Sequence, residues 1–228
     1  MNNLNHAVGR ESYYVYDFNF SLMNRKGKMS ARQKQKGRLL DEAFGRYDTR
    51  AIQKDSMRIF ERLLAKSSSS LELHSDNHPA YRRAIKGMPG GNRVVHSITS
   101  SKLARNFRNR LFAINHTDML TRHQLGTFKR ETIAFAKNIV AMMESFVLLA
   151  TQKNYLRARF TKKHKRDPLA HLESPAMAIG LRDKVQSFRE FYRNRISIHH
   201  VKLSSDWQDL FDSTSLASRR TVRAYAGI

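Results

Sequence analysis

The sequence lacks cysteine and is poor in proline and in acidic residues, with 4 prolines and 19 Asp and Glu in 228 residues. The absence of cysteine excludes disulfide bonds and cysteine-based zinc sites. No stretch reaches the ~18 consecutive apolar residues that a membrane-spanning helix needs. The N-terminal stretch, MNNLNHAVGRESYY, also lacks the apolar core of a secretory signal peptide. These absences predict a cytoplasmic protein with no membrane partner, in a cell without a nucleus.

Basic residues are abundant instead. Lys and Arg total 42, which gives a formal net charge of +23, while 40% of the residues are apolar. Such an excess is far more than solubility requires and predicts attraction to a polyanion. Because a foldable core accompanies the charge, we expect a folded nucleic-acid-binding protein rather than a basic tail. The alternative is a generic basic protein, such as a ribosome-associated one. If the polyanion is DNA, the bound protein would be associated with the nucleoid.

The first half of the chain predicts one strand followed by two helices. The aromatic run from Ser12 to Met23 alternates as a strand does. A basic helix then begins after a potential N-cap at Ser30 and closes at 42–44. Apolar residues recur at helical spacing from Arg50 to Lys66, which predicts an amphipathic helix.

Two further strands, Leu71–Ser75 and Arg93–Thr99, are separated by a helix with Pro79 in its first turn. From His116 to Arg159 the pattern predicts one long helical region with a kink near Gly126. Its apolar residues lie nearly all round, which is typical of a buried helix. The order of elements predicts an α/β fold with a mixed sheet and a long buried C-terminal helix. We expect one domain over residues 1–160 and a basic tail with short appended elements over 161–228.

Asp76 stands directly after the predicted strand Leu71–Ser75. Ligands of α/β proteins bind at the carboxyl ends of such strands. An alternative role is the N-cap of the following helix, for which aspartate is well suited. In a basic protein, a carboxylate at this position also suggests phosphoryl transfer, because Mg²⁺ or Mn²⁺ would need oxygen ligands there.

Such a metal site needs another carboxylate from a second element. Asp118 lies in the segment INHTDMLTRH, on the same helix face as Arg122. The alternative is a surface ion pair between these two residues, which would add little stability. Glu131 and Glu144 are the next candidates.

Five segments in this order carry a resemblance to a known family: SDNHPAY, RNRLFAINHTDMLTRH, KRETIAFAKN, NYLRARF and ESPAMAIGL. They resemble the C-terminal two-thirds of bacterial insertion-sequence transposases of the DDE group, over roughly residues 11–198. The resemblance implies a partial ribonuclease-H-like fold and transposition of DNA by metal-dependent phosphoryl transfer, with Mg²⁺ or Mn²⁺ as cofactor.

The resemblance also assigns two catalytic, metal-binding residues. Asp76 falls on the second acidic ligand of the family. Asp118 falls on the third, where the family's Asn-His-Thr-Glu motif has glutamate. Aspartate is one methylene shorter, and a displacement of about 1 Å in an active site can cost about 10²-fold in rate. We therefore expect reduced activity.

The family's first catalytic aspartate lies on a strand upstream of the one that contains Asp17. The few residues before Ser12 include no aspartate, and Asp17 itself is the nearest substitute. The resemblance thus implies a truncated, inactive transposase remnant. A non-catalytic nucleic-acid-binding protein and a regulator of a full-length transposase remain open, as does a homo-oligomer.

Basic residues cluster around the proposed ligands and are predicted to neutralise DNA phosphates. Such contacts give affinity and salt dependence rather than sequence reading. For each one alone, a solvated basic surface is the alternative. The predicted DNA-binding residues are Arg105, Arg108, Arg110, Arg122, Lys129, Arg130 and Lys137.

Overall fold

The structure is a computed structural model that describes residues 2–24, 27–129, 134, 139–163, 165, 167–193, 200–205 and 207–208. The strands in these ranges are β1 (Asn2–Val8), β2 (Val15–Leu22), β3 (Leu71–Ser75) and β4 (Val94–Ile98). The α-helices are α1 (Ala31–Phe44), α2 (Ala51–Ala65), α3 (Pro79–Gly87), α4 (Phe112–Gln124), α5 (Ile139–Thr151), α6 (Pro175–Ala178) and α7 (Phe188–Arg193). The predicted mixed α/β class is confirmed.

The strands pair in two separate sheets within the described residues. β1 and β2 form an antiparallel hairpin in which His6 lies opposite Phe18. β3 and β4 are parallel, and Ser75 lies opposite Ile98. The hairpin closes through a short turn, whereas the parallel pair needs the crossover that α3 supplies. The single mixed sheet predicted from the sequence is therefore not observed in the part of the chain that the structure describes.

β1 was not predicted from the sequence. Asparagine is depleted in strands, and three of the seven residues of this segment are asparagine. In the fold the amide of Asn5 is buried and donates to Asn19 Oδ1 (3.0 Å) and to Ser21 Oγ (2.7 Å). These hydrogen bonds to β2 satisfy the polar group, so tertiary contacts outweigh the local preference.

Capping and periodicity predicted the early helices correctly. Ser30 and Gln33 form a reciprocal capping box at the start of α1. α2 covers nearly the whole predicted range and buries Ile59, Phe60 and Leu64. Pro79 occupies the first turn of α3, where its missing N–H costs no hydrogen bond.

Two apolar clusters form the core. In the first, α5 packs across the β1–β2 hairpin, and the fully buried ring of Phe146 lies 4.6 Å from that of Phe18. In the second, α2 and α3 pack against the β3–β4 sheet around Phe60 and Ala84. The parallel sheet, whose carboxyl end carries Asp76, is thus held mainly by α2 and α3.

The sequence predicted one long helical region from His116 to Arg159 with a kink near Gly126. This prediction is wrong, because the α-helix is interrupted after Gln124. α4 begins earlier, at Phe112, and ends where the backbone of Leu125 becomes extended. A short 3₁₀-helix follows, and α5 then leads into a π-helix over Gln152–Leu156. α5 is also not buried all round, because Leu148 is 69% exposed.

Residues beyond 160 contact the core at several points. The Arg159 guanidinium binds both Asp167 and Glu173. The indole of Trp207 packs edge-on against Phe18, with ring centroids 5.0 Å apart. A domain boundary near residue 160 stays a prediction. Within the described residues, every helix is too short or too polar to cross a bilayer.

A candidate site around Asp76 and Asp118

Asp76 follows β3 and closes the turn that leads into α3. Its Oδ1 accepts a hydrogen bond from the backbone N–H of His78 at 3.0 Å. The N-cap of α3 is His78 itself, whose Nδ1 accepts from the N–H of Ala80. The alternative in which Asp76 is the N-cap is therefore wrong. Asp76 is a half-buried carboxylate at the carboxyl end of a parallel strand, with one oxygen engaged in a local turn.

Asp118 lies in the middle of α4 and faces β1. Its Oδ1 is 3.5 Å from Nε2 of His6, whose side chain is only 4% exposed. Burial lowers the pKa of the His6 imidazole; the negative charge of Asp118 opposes this effect and Lys153 adds to it. Asp118 and Arg122 form no ion pair among the described residues, so the expected helix-surface pair is wrong.

The charges of Asp76 and Asp118 both act on a third residue, Tyr81 of α3. Burial raises the pKa of the Tyr81 phenol to about 12, and the negative charges of Asp76 and Asp118 add to the effect. Charge effects weaken with distance but do not require contact. That Asp76, after β3, and Asp118, on α4, form one site stays a prediction.

The donor set at this point is small. No group of three or more His, Cys, Asp or Glu side chains in the described ranges is arranged to hold a metal ion. Mg²⁺ keeps several waters in many proteins and takes one or two carboxylates together with substrate phosphates. Asp76 and Asp118 fit one such open site, because both are oxygen donors. They do not fit a closed cage made of protein ligands alone.

The other acidic candidates lie elsewhere or are already engaged. Asp17 Oδ2 is 2.6 Å from Nε of Arg62, and its Oδ1 accepts the N–H of Phe18. Asp17 thereby fixes β2 to α2, and neither oxygen is left without a partner. Glu144 is exposed on α5. Glu131 lies outside the described residues.

The predicted DNA-binding residues that the structure describes are all exposed. Three of them precede α4, one lies in its last turn and one follows the 3₁₀-helix after it. These are, in that order, Arg105, Arg108, Arg110, Arg122 and Lys129. Arg130 and Lys137 lie outside the described residues. A positive surface therefore accompanies α4, the helix that carries Asp118.

Three residues of this region were missed by the sequence reasoning. His6 was hidden because β1 was not recognised as a strand. Tyr81 gave no signal beyond its place in the SDNHPAY segment. Lys153 lies 9% exposed in the π-helix, and its pKa is lowered to about 7 by burial. Its position in an otherwise apolar helical stretch was the only indication in the sequence.

Comparison of the chain with protein-family models, with curated proteins and with solved structures finds no match. Any assignment of function therefore rests on the residues of this chain and on their geometry.

Proposed function

We propose that this chain is a DNA-binding protein of the DDE transposase type, with Asp76 and Asp118 as the remaining carboxylates of a divalent-metal site. We further propose a ribonuclease-H-like arrangement that is incomplete in the described residues. The observation that carries the proposal is the half-buried carboxylate of Asp76 at the carboxyl end of the parallel strand β3. The charges of Asp76 and Asp118 also act on the same phenol, that of Tyr81. The net charge of +23 supports DNA as the substrate.

The residues present would hold one Mg²⁺ or Mn²⁺ ion through the carboxylate oxygens of Asp76 and Asp118. When bound, such an ion polarises a phosphoryl oxygen and lowers the pKa of its bound water. The exposed arginines before α4 would bind phosphates of the same DNA, which holds the strand against the two carboxylates. With two carboxylates at the site, we expect strand nicking and strand transfer by this chain alone to be slow.

A non-catalytic role in DNA binding, including regulation of a full-length transposase, is the second candidate. It is favoured by the hydrogen bond that Asp76 Oδ1 accepts from the N–H of His78, because this contact gives the carboxylate a structural role. In that case Asp76 would serve only the turn before α3.

The Asp76→Asn variant distinguishes a metal-binding role of Asp76 from a purely structural role in the turn before α3. Asparagine Oδ1 can still accept the N–H of His78, so the turn is kept while the negative charge is lost. We expect Mn²⁺ binding, measured by calorimetry, to disappear in Asp76→Asn while the urea unfolding midpoint stays at the wild-type value. Asp183→Asn is the matched control, because Asp183 is exposed and lies in another part of the chain.

Equal Mn²⁺ binding by the wild-type chain and Asp76→Asn would overturn the metal site and leave the DNA-binding role. A loss of binding in both Asp76→Asn and Asp183→Asn would show a diffuse attraction of cations instead of a site. Metal-dependent nicking of supercoiled DNA is a second readout, and any activity should be absent from Asp76→Asn.

A further inference from the structure

A cavity of about 450 Å³ opens between α3 and the turn that precedes β4. Its polar lining consists of Arg82, Lys86, Asn92 and His96, and its apolar floor consists of Ile85 and Met88. No carboxylate lines it. Arg82, Ile85 and Lys86 share one face of α3 because they are three and four residues apart. The charged part of the lining is therefore entirely cationic.

The backbone turn that lines the cavity before β4 needs glycine at two adjacent positions. Gly90 has a positive φ of 71°, which L side chains rarely adopt. A Cβ on Gly91 would lie 2.1 Å from the carbonyl oxygen of Ile85. The two glycines let the chain turn tightly against the end of α3, which forms one wall of the cavity.

The cavity lies directly beside the candidate metal site. Arg82 Nη2 donates to Oδ1 of Asn77, at 3.3 Å, and Asn77 follows Asp76 in the chain. On the other side, Nε2 of His96 is 2.8 Å from Oγ of Ser75, which precedes Asp76. Both sequence neighbours of Asp76 thus contact residues that line the cavity.

The chemistry of the lining suits one phosphate-and-sugar unit of a nucleic acid strand. Arg82 and Lys86 supply cationic donors for a phosphate, and Ile85 with Met88 supplies apolar surface for a sugar. The volume falls in the range of sites for small ligands, about 300–1,000 Å³. Among the described residues of the lining, His96 is the one aromatic ring, and its Nε2 lies 2.8 Å from Ser75 Oγ.

We propose that this cavity binds a phosphate-and-sugar unit of the DNA strand that passes Asp76, with the phosphate held by Arg82 and Lys86. The inference rests on the proposed function, because it takes DNA as the ligand. It adds a DNA-binding site on α3 to the basic surface near α4.

The first test compares Arg82→Gln/Lys86→Gln with Arg32→Gln/Lys34→Gln. The control pair removes the same charge from exposed positions on α1. Binding of a short single-stranded oligonucleotide is followed by fluorescence anisotropy over a range of NaCl concentrations. We expect the slope of log K against log salt to fall by about 0.7 in the cavity variant, since each single-strand phosphate contact contributes ~0.7 and the cavity holds one phosphate. Equal losses in both variants would overturn the proposal.

A second test uses the absence of cysteine from the chain. Lys86→Cys and Lys34→Cys each introduce one thiol, which can form a disulfide with an oligonucleotide that carries a thiol on its backbone. Cross-linking is expected to be efficient at position 86 and weak at position 34, and the reverse order would contradict the site. Mn²⁺ calorimetry on the Arg82→Gln/Lys86→Gln variant keeps the two proposals apart, because metal binding should persist if only the cavity assignment fails.

Discussion

Lys153 makes the stability of this protein depend on pH in a defined direction. It lies in the π-helix after α5, with its side chain 9% exposed. Its Nζ donates to the carbonyl oxygen of Tyr13 in the hairpin turn and lies 5.8 Å above the ring of the same tyrosine. Burial lowers the pKa of Lys153 from its ordinary 10.5 to about 7.

The direction of the pH effect follows from the number of protons that the folded and the unfolded states bind. Between pH 7 and pH 10.5 the unfolded chain keeps the lysine protonated, whereas the folded protein prefers the neutral amine. The unfolded state therefore binds more protons, and the free energy of unfolding rises with pH through this window. At ~1.36 kcal/mol per pH unit the full effect is up to about 5 kcal/mol, of which about 2 kcal/mol falls between pH 7 and pH 9.

The other groups facing Lys153 do not titrate between pH 7 and pH 9. Burial lowers the pKa of His6 and of His116, so both are already neutral there. The pKa of Tyr13 is raised above its ordinary value of 10, so the phenol stays protonated. A change of stability within this window can therefore be assigned to Lys153.

The assay is urea unfolding at pH 7 and pH 9 for the wild-type chain, for Lys153→Met and for Lys102→Met. Lys102 is exposed and serves as the matched control. We expect the wild-type chain and the control to gain about 2 kcal/mol between the two pH values and Lys153→Met to gain much less. Parallel gains in all three proteins would refute the assignment of a depressed pKa to Lys153.

Two further predictions concern packing and ion pairs. Phe146→Ala should cost about 3–5 kcal/mol, because the ring is fully buried between α5 and the hairpin. On the same helix, Leu148→Ala should stay within about 0.5 kcal/mol, since Leu148 is 69% exposed; similar costs at both positions would contradict the described burial. Arg159→Gln should lower the free energy of unfolding by about 3 kcal/mol. The arginine side chain is 7% exposed, and its substitution removes the ion-pair partner of Asp167 and Glu173. A double-mutant cycle with Asp167→Asn checks this coupling, and additive effects would show that the pair contributes nothing.

The helices that could be predicted are those whose sequence signals lie within a few residues of one another. The capping box at Ser30, the apolar spacing of α2 and the proline at the start of α3 are local features, and the structure contains all three. The interruption after α4 was predicted only as a kink near Gly126. β1 was not predicted, because its cause is distant in sequence. The buried amide of Asn5 is satisfied from β2, and only the fold reveals that partner.

The sequence singled out the two acidic residues of the candidate site but not the residues that surround them. Position after a strand singled out Asp76, and the resemblance to transposases singled out Asp118. Neither signal could show that α4 lies against β1, which places His6 beside Asp118. For the same reason the sequence did not identify Tyr81 as the residue whose pKa both carboxylates raise.

The partners of Asp76 and Asp118 give them an electrostatic character that Asp17, Asp55 and Asp167 lack. Asp17, Asp55 and Asp167 each contact an arginine, which neutralises their charge locally. The contacts described for Asp76 and Asp118 are instead a backbone N–H and an imidazole whose pKa is lowered. Neither of these contacts is with a lysine or an arginine, in a protein of net charge +23.

In the proposed function, the carboxylates would attract a small divalent cation and would repel the phosphates that the surrounding arginines and lysines attract. Removing one of these carboxylates should consequently have opposite effects on the two ligands. Asp76→Asn would weaken Mn²⁺ binding, and in the absence of metal it would strengthen DNA binding. A carboxylate that serves only the turn before α3 would give the second effect without the first, because no cation would be held there to lose.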